Sequence, residues 1–518
     1  MGSSYHDGPI MPFQQTQFGR LLFEAGWLPT GDELSVEQSD DLLPAILEVW
    51  QSCDPKTLSA TSRSRATNVQ LWLAEQISNG AQLTAVGTTA DSKQHWLGSR
   101  LIWWPLGQPN GSQIGITSSR LGRRLDTQAD WFTVFRAACS KINRDDDVLL
   151  TAVNTTPDRF VDRAAELFGV RVVSMRCSQK RESIVAWLKR IRKMVSTTRG
   201  SVFPAYLSPE STTGSVAAEH PDADLPTRDR AVVALADRLL VFHLRRNGHL
   251  DKLVRARLSN PNFPAGTVFI ALGEGLVKRD LADDLLDQGA VGWVVLNTLR
   301  PKLSVAREGT HMKPAAIVKL PPNDKWEWLT HCTRAQADAW PDQERHEYID
   351  ELLLASAATD HSAFAALRRI IDNQRLVASS RMIRGDTRVV CFTAVPLSEL
   401  PQLRSFRSHL ARWDFEPYGI CIRREWLESR DCLPVRYGDD SLWASLDLQD
   451  RPYFQVQTST CRQSGRTIDW SVEREWRHVG DVELEELPAN AGLVFVPTRE
   501  EAEQLVTISR WPVTVLDG

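Results

Sequence analysis

No apolar run in the 518-residue sequence reaches the length of about 18 residues that a membrane-spanning helix needs. No basic, then apolar, then small-residue start marks a signal peptide, so the sequence predicts a cytoplasmic protein with no membrane partner. Cysteine is sparse: eight residues, far apart and with no CxxC or Cys/His ligand spacing, which argues against a zinc site or a disulfide framework, and no metal is expected. Charge of one sign is also lacking. A formal net charge of -4 gives no whole-chain attraction to nucleic acid or to an anionic membrane, so any such binding has to be local. Neither GxGxxG nor GxxxxGK[ST] occurs, which leaves an ordinary dinucleotide fingerprint and a P-loop ATPase unsupported.

What is present is alternation. Residues 14–80 carry apolar positions at helical spacing (Phe18, Leu21, Leu22, Ala25; then Leu42 to Trp50; then Val69 to Ile77) and predict a helical N-terminal region, 1–80. From about 82 short apolar runs begin, Leu83 to Val86 and Leu101 to Trp104. Repeated strand–polar turn–helix units follow: Gln113 to Thr117, Val148 to Val153, Arg238 to His243 and Thr267 to Leu272 are each succeeded by a helical pattern. Such repetition predicts an α/β fold, a Rossmann-like, mainly parallel sheet over 81–300 with helices on both faces. Thr156 is expected to cap the helix that opens at Pro157. Residues 204–228, rich in Pro, Ser, Thr, Gly and Asp, predict a mobile loop. The basic stretch before it (Lys180, Arg181, Lys189, Arg190, Arg192, Lys193) also carries Trp187, Leu188 and Ile191 on another face, the pattern of a solvated amphipathic helix, with a nucleic-acid-binding helix using Lys189 and Trp187 as the alternative. A polar connector, 301–350, leads to a C-terminal α+β domain, 351–518.

Ligands of open parallel sheets sit beyond the carboxyl ends of the strands, where backbone N–H groups and helix N-termini favour anions. Ser118, Ser119 and Arg120 fall there, as do Thr155, Thr156, Arg245, Asn247 and Gly248, and together they predict a phosphate and ribose site. The segment Leu235-Ala236-Asp237-Arg238-Leu239-Leu240-Val241-Phe242-His243, with Asn247-Gly248-His249, resembles the SLOG and DprA-like Rossmann families. That resemblance implies sensing of a nucleotide-like small molecule or DNA.

In the C-terminal part, four segments occur in order: Cys391 to Ser398; Tyr418-Gly419-Ile420 with Arg424-Glu425-Trp426; Pro434 to Tyr437; and Glu473-Arg474-Glu475-Trp476-Arg477. The series resembles the AbiGi-type abortive phage-resistance proteins. It implies a role in antiphage defence, with a partner protein of the defence system. His361 ahead of a Leu/Ile helix, a central Tyr418 and a late Glu475 are similar to the trio of ADP-ribosyltransferase-like folds. That likeness implies NAD as cofactor: His361 on the ribose, Tyr418 on nicotinamide, Glu475 against oxocarbenium-like charge, Glu473 completing an ExE pair, and Arg384 on the NAD phosphate. The usual His-Tyr/Phe-Thr start is His361-Ser362-Ala363 here. On a strand, Glu473 and Glu475 would share one face. The alternative reading is a non-catalytic interaction or antitoxin-like protein in which these acids form structural ion pairs at a sheet edge.

Overall fold

The computed structural model describes residues 75–86, 96–179, 184–194, 201–210, 224–295, 315–380, 383–407, 412–460 and 467–516, apart from isolated positions. The predicted N-terminal helices therefore lie almost wholly outside the described residues. The chain forms two compact units, one of residues 1–122 and 128–300, the other of 123–127 and 301–518. Among the described residues no helix is long and apolar enough to cross a membrane.

The first unit is an α/β fold built on a nine-stranded sheet. Its strands are β1 (Gln82–Val86), β2 (Arg100–Trp104), β3 (Ser112–Thr117), β4 (Asp147–Ala152), β5 (Val172–Cys177), β6 (Val202–Leu207), β7 (Arg238–Val241), β8 (Val268–Leu272) and β9 (Val291–Val294). In space they run β1-β2-β6-β5-β4-β3-β7-β8-β9. From β6 to β9 every pairing is parallel, and β1–β2 and β2–β6 are antiparallel. The helices α1 (Ala129–Lys141), α2 (Asp158–Phe168), α3 (Ile184–Lys193), α4 (Thr227–Leu235), α5 (His249–Ser259) and α6 (Arg279–Asp287) connect them. β4 is buried at all six positions, as a central parallel strand covered on both faces must be.

Three sequence expectations shift here. Pro204 to Leu207, assigned to the mobile loop 204–228, are the end of strand β6, and Thr227 and Arg228 open α4; 211–223 lie outside the described residues. Pro204 is tolerated because β2 pairs only with Tyr206 and Leu207, leaving that side of β6 open where the ring lacks its N–H. Helix α2 starts at Asp158 rather than Pro157, and Thr156 does not cap it. Instead the Asp158 carboxylate reaches back to the Asn154 N–H at 3.0 Å.

Helix α4 is buried from Arg230 to Leu235, so its C-terminal carbonyls cannot turn to water. Arg257 of α5 supplies their donors: its guanidinium reaches the carbonyls of Val233, Ala236 and Asp237 and the Thr267 hydroxyl, with the Phe263 ring 4.3 Å away. Burial holds this arginine down at about 10, against a weaker upward pull from Asp237.

The second unit is α+β. Its eight-stranded sheet contains β10 (Ile317–Val318), β11 (Trp328–Cys332), β12 (Val389–Thr393), β13 (Gly419–Arg423), β14 (Leu433–Pro434), β15 (Glu475–Val479), β16 (Gly492–Val496) and β17 (Val513–Val515), in the order β10-β17-β16-β13-β11-β12-β15-β14. Pairing is antiparallel except for β10–β17 and β16–β17. The stretch read as a polar connector thus supplies β10 and a central strand, β11, whose Trp328, Leu329 and Thr330 are buried. Five strand residues between polar flanks give too short a period-2 signal to stand out. Helices α7 (Arg345–Leu354) and α8 (Ala363–Asn373) belong to this unit, and the second is capped by the Ser362 hydroxyl on the Ala365 N–H.

Candidate functional sites

In the first unit the chain leaves β3 toward β4 on one side and enters β7, which continues to β8, on the other. β3 and β7 are neighbours, so the strand order reverses between them, and a crevice opens beyond their carboxyl ends. Ser118, Ser119 and Arg120 leave β3 there, and His243 to Gly248 leave β7. The two turns are bonded to each other. The Ser119 N–H donates to the His243 carbonyl at 2.8 Å, the Arg245 N–H to Ser119 Oγ at 3.2 Å, and the Arg245 guanidinium to the Arg120 carbonyl at 3.0 Å.

The predicted residues divide by what they already hold. Ser118 is buried and accepts the Trp131 indole N–H at 3.0 Å, while its own hydroxyl donates to the Ser119 carbonyl. Thr155, beyond β4, donates to the Ala152 carbonyl. Both are fixed parts of the wall. Arg120, Arg245 and Asn247 are exposed, Ser119 and Thr156 half-buried. Asn247 takes a left-handed conformation, φ 60°, which suits Asn and lets Gly248 start α5. The first turn of α5 partly serves itself, because the buried Asp251 carboxylate accepts the Asn247 N–H at 2.7 Å.

Two neighbours were not anticipated. His243 is half-buried at the crevice, and its ring is held below its ordinary value by burial first, then by the positive charges of Arg245 and Lys278. Lys278 sits at the N-cap of α6. Arg120, Arg245 and Lys278, all exposed, thus belong to the turns that follow β3, β7 and β8. His243 ended the apolar run in the sequence, and its position at a strand end was the signal available for it. The alternative nucleic-acid helix, α3, buries Trp187 completely and pairs Arg190 with Glu182 at 2.8 Å. That ring cannot stack on a base.

In the second unit the residues similar to the ADP-ribosyltransferase trio have separate surroundings. His361 is fully buried between Trp340 and Tyr348, ring centroids 4.1 and 4.2 Å away, with Nδ1 3.0 Å from the Asp338 carbonyl. Burial lowers its affinity for a proton. Tyr418 donates its hydroxyl to Glu501 at 2.8 Å. Burial, then this carboxylate, raises the phenol above its ordinary value. Glu475 opens β15, three strand spacings from β13, which puts the backbones beside Tyr418 and Glu475 about 14 Å apart across the sheet.

Glu473 and Glu475 do come together, by another route than a shared strand face. Glu473 ends a 3₁₀ turn, Trp470–Glu473, and Arg474 then takes a left-handed φ of 45° before β15 begins. A short turn and a left-handed residue have no period-2 pattern, which is why a continuous strand was expected. Nor is β15 an edge strand, since Leu433 and Pro434 of β14 cover it. The Glu475 carboxylate is gripped by the fully buried Arg477 through Nε at 2.9 Å and Nη2 at 3.0 Å. The same guanidinium donates to the Pro452 and Phe454 carbonyls and to Gln455. Burial, the largest single influence, would lower Arg477, but the charge and hydrogen bond of Glu475, with smaller contributions from Cys391 and Tyr437, together hold it above its ordinary value.

Among the described residues no guanidinium grips Glu473 in this way. Burial, then the charges of Glu475 and Asp414, push its carboxyl up to about 7, against weaker pulls from Arg407 and Arg334. Two neighbouring carboxyls thus differ in surroundings, Glu475 gripped by a guanidinium and Glu473 pushed up by burial, a division that general acid–base chemistry uses. Asp414, Arg334 and Arg407 come from distant segments, and nothing in the local sequence marked them. Arg384 lies apart, paired with Asp440 at 2.5 Å and stacked over Trp443 at 4.6 Å. It lines an open recess with Phe454 and Gln455, and Gln455 is the residue that meets Arg477.

No family model matches the chain, and no curated protein matches it. Among solved structures it is similar to DNA processing protein A (DprA) from Streptococcus pneumoniae, at 14% identity and a TM-score of 0.27, over 50% of this chain and 85% of that one.

Proposed function

We propose that the first unit binds a phosphate-bearing, nucleotide-like small molecule in the crevice between β3 and β7, and that the second unit acts as a recognition module in a bacterial antiphage-defence system. The observation that carries the first half is the meeting of the β3 and β7 turns, with Arg120, Arg245 and Asn247 exposed, where the strand order reverses. Such a crevice favours an anion through cationic side chains and adjacent helix N-termini. The defence setting rests on the ordered AbiGi-like segments. For the second unit, the separate partners of His361, Tyr418 and Glu475 support recognition over catalysis.

One observation favours a second reading. The Glu473–Glu475 pair suits a transfer reaction on NAD, with Glu475 set against positive charge and Glu473 moving a proton. Two measurements separate the readings. A thermal-shift panel of mono- and dinucleotides is expected to raise the melting temperature of the wild type with at least one phosphate-bearing member, and to do so about tenfold less effectively in dose for Arg245→Ala, as loss of one charge-assisted hydrogen bond implies. A panel without any shift contradicts the crevice reading. Incubation with labelled NAD and extract of phage-infected cells is expected to release no nicotinamide. Release abolished in Glu473→Gln, with the fold intact, would replace recognition by transfer.

A further inference from the structure

The second unit carries an aromatic and arginine surface that neither the crevice nor the acid pair uses. Ser405–Arg407 and Arg412–Asp414 form a two-stranded antiparallel ribbon with Phe406 opposite Trp413. Successive strand residues face opposite ways, so this pair occupies one face and Ser405, Arg407 and Asp414 the other. The second face is anchored. Arg407 pairs with Asp414 at 2.7 Å and stacks over Trp470 at 4.8 Å, and Asp414 lies 3.8 Å from Arg334. The first face is open: Phe406 is 52% and Trp413 41% exposed, with ring centroids 5.3 Å apart.

The backbone fixes this orientation. Phe415, next along the chain, has φ 54°, a left-handed conformation that costs a bulky residue about 1–2 kcal/mol. It turns the Phe415 ring into the core cluster of Leu400, Val395 and Phe495, while Trp413 points outward. Arg404 lies over the Trp413 ring at 4.7 Å. Two large rings held in water beside Arg404 differ from a purely apolar docking face, because the guanidinium complements a negative chain that also offers flat rings.

We infer that the paired strands Ser405–Arg407 and Arg412–Asp414 bind single-stranded nucleic acid, its bases stacking on Phe406 and Trp413 and its phosphates meeting Arg404. Stacking of this kind contributes about 1–3 kcal/mol per base and tolerates any sequence. The site is independent of the crevice and of the small molecule proposed for it.

The test is fluorescence anisotropy of a labelled 20-nucleotide oligothymidylate with the full chain, over a salt series. Wild type is expected to bind, more weakly as salt rises. Phe406→Ala and Trp413→Ala are each expected to weaken binding about 5- to 100-fold, and Arg404→Ala to reduce the salt slope by about one. Arg245→Ala in the crevice is expected to leave it unchanged. Both rings are exposed, so unchanged melting curves verify the fold of the variants. Absence of binding at low salt overturns the inference, as does binding indifferent to both aromatic substitutions. Sedimentation that shows a dimer of the wild type, lost in Trp413→Ala, overturns it in favour of a second copy of this chain.

Discussion

In the first unit the buried guanidinium of Arg257 is held by carbonyls and a hydroxyl, whereas in the second that of Arg477 shares its carbonyls with a carboxylate, Glu475. The first arginine completes a helix end and stands in the architecture. The second brings a charge into the fold and so shapes the electrostatics of its neighbourhood, where Glu473 feels Glu475 and Asp414 more strongly than Arg407 and Arg334. Burial therefore lowers Arg257 while Arg477 is raised. The candidate sites divide the same way: in the crevice the buried polar groups are consumed and Arg120, Arg245 and Asn247 are exposed, while in the second unit the reactive-looking group is itself half-buried.

The largest effect expected from this contrast is at Arg477. Arg477→Met leaves Glu475 buried without its cation and is expected to destabilise the second unit by about 3–5 kcal/mol. Pairing it with Glu475→Leu should restore most of that loss, a coupling that chemical denaturation of single and double variants measures. Arg257→Met removes no partner charge but strips donors from the end of α4. It is expected to cost the first unit about 2–4 kcal/mol, with no rescue from any carboxylate substitution. If the two arginines gave equal losses and equal rescue, the distinction between them would collapse.

A smaller effect concerns pH. The Glu473 carboxyl is raised from 4.5 to about 7 in the folded chain, so the folded state holds a proton that the unfolded chain has released. Its contribution to stability is fully present below 4.5 and is lost as pH rises through about 7. Melting temperatures of the wild type should therefore contain a falling component across that window, and Glu473→Gln should flatten it. An unaltered profile in the variant would assign the slope to other groups.

How far these features were legible follows from the two sheets. The parallel sheet was readable because each strand is a short apolar run ending in a polar turn: Gln113 to Thr117, Val148 to Ala152 and Arg238 to Val241 lie in strands as expected, and their turn residues fall at strand ends. The order of the strands, and so the meeting of the Ser119 and Arg245 turns, depends on long-range pairing that no local pattern contains. In the second unit β11 hides between polar flanks, and the acid pair depends on the left-handed Arg474 and on Asp414, Arg334 and Arg407 from afar. The structural ion pairing offered as the alternative reading is found for Glu475 with Arg477, two residues apart on one strand.

The central claim is that the crevice between β3 and β7 holds a nucleotide-like anion. Photolabelling the full chain with 8-azido-ATP, with and without excess ATP, followed by mapping of the modified peptides, addresses it most directly. The account predicts ATP-suppressible label on peptides containing Ser118 to Gly122 or His243 to His249, weakened in Arg245→Ala. Label confined to other segments, or label that excess ATP fails to suppress, would contradict it.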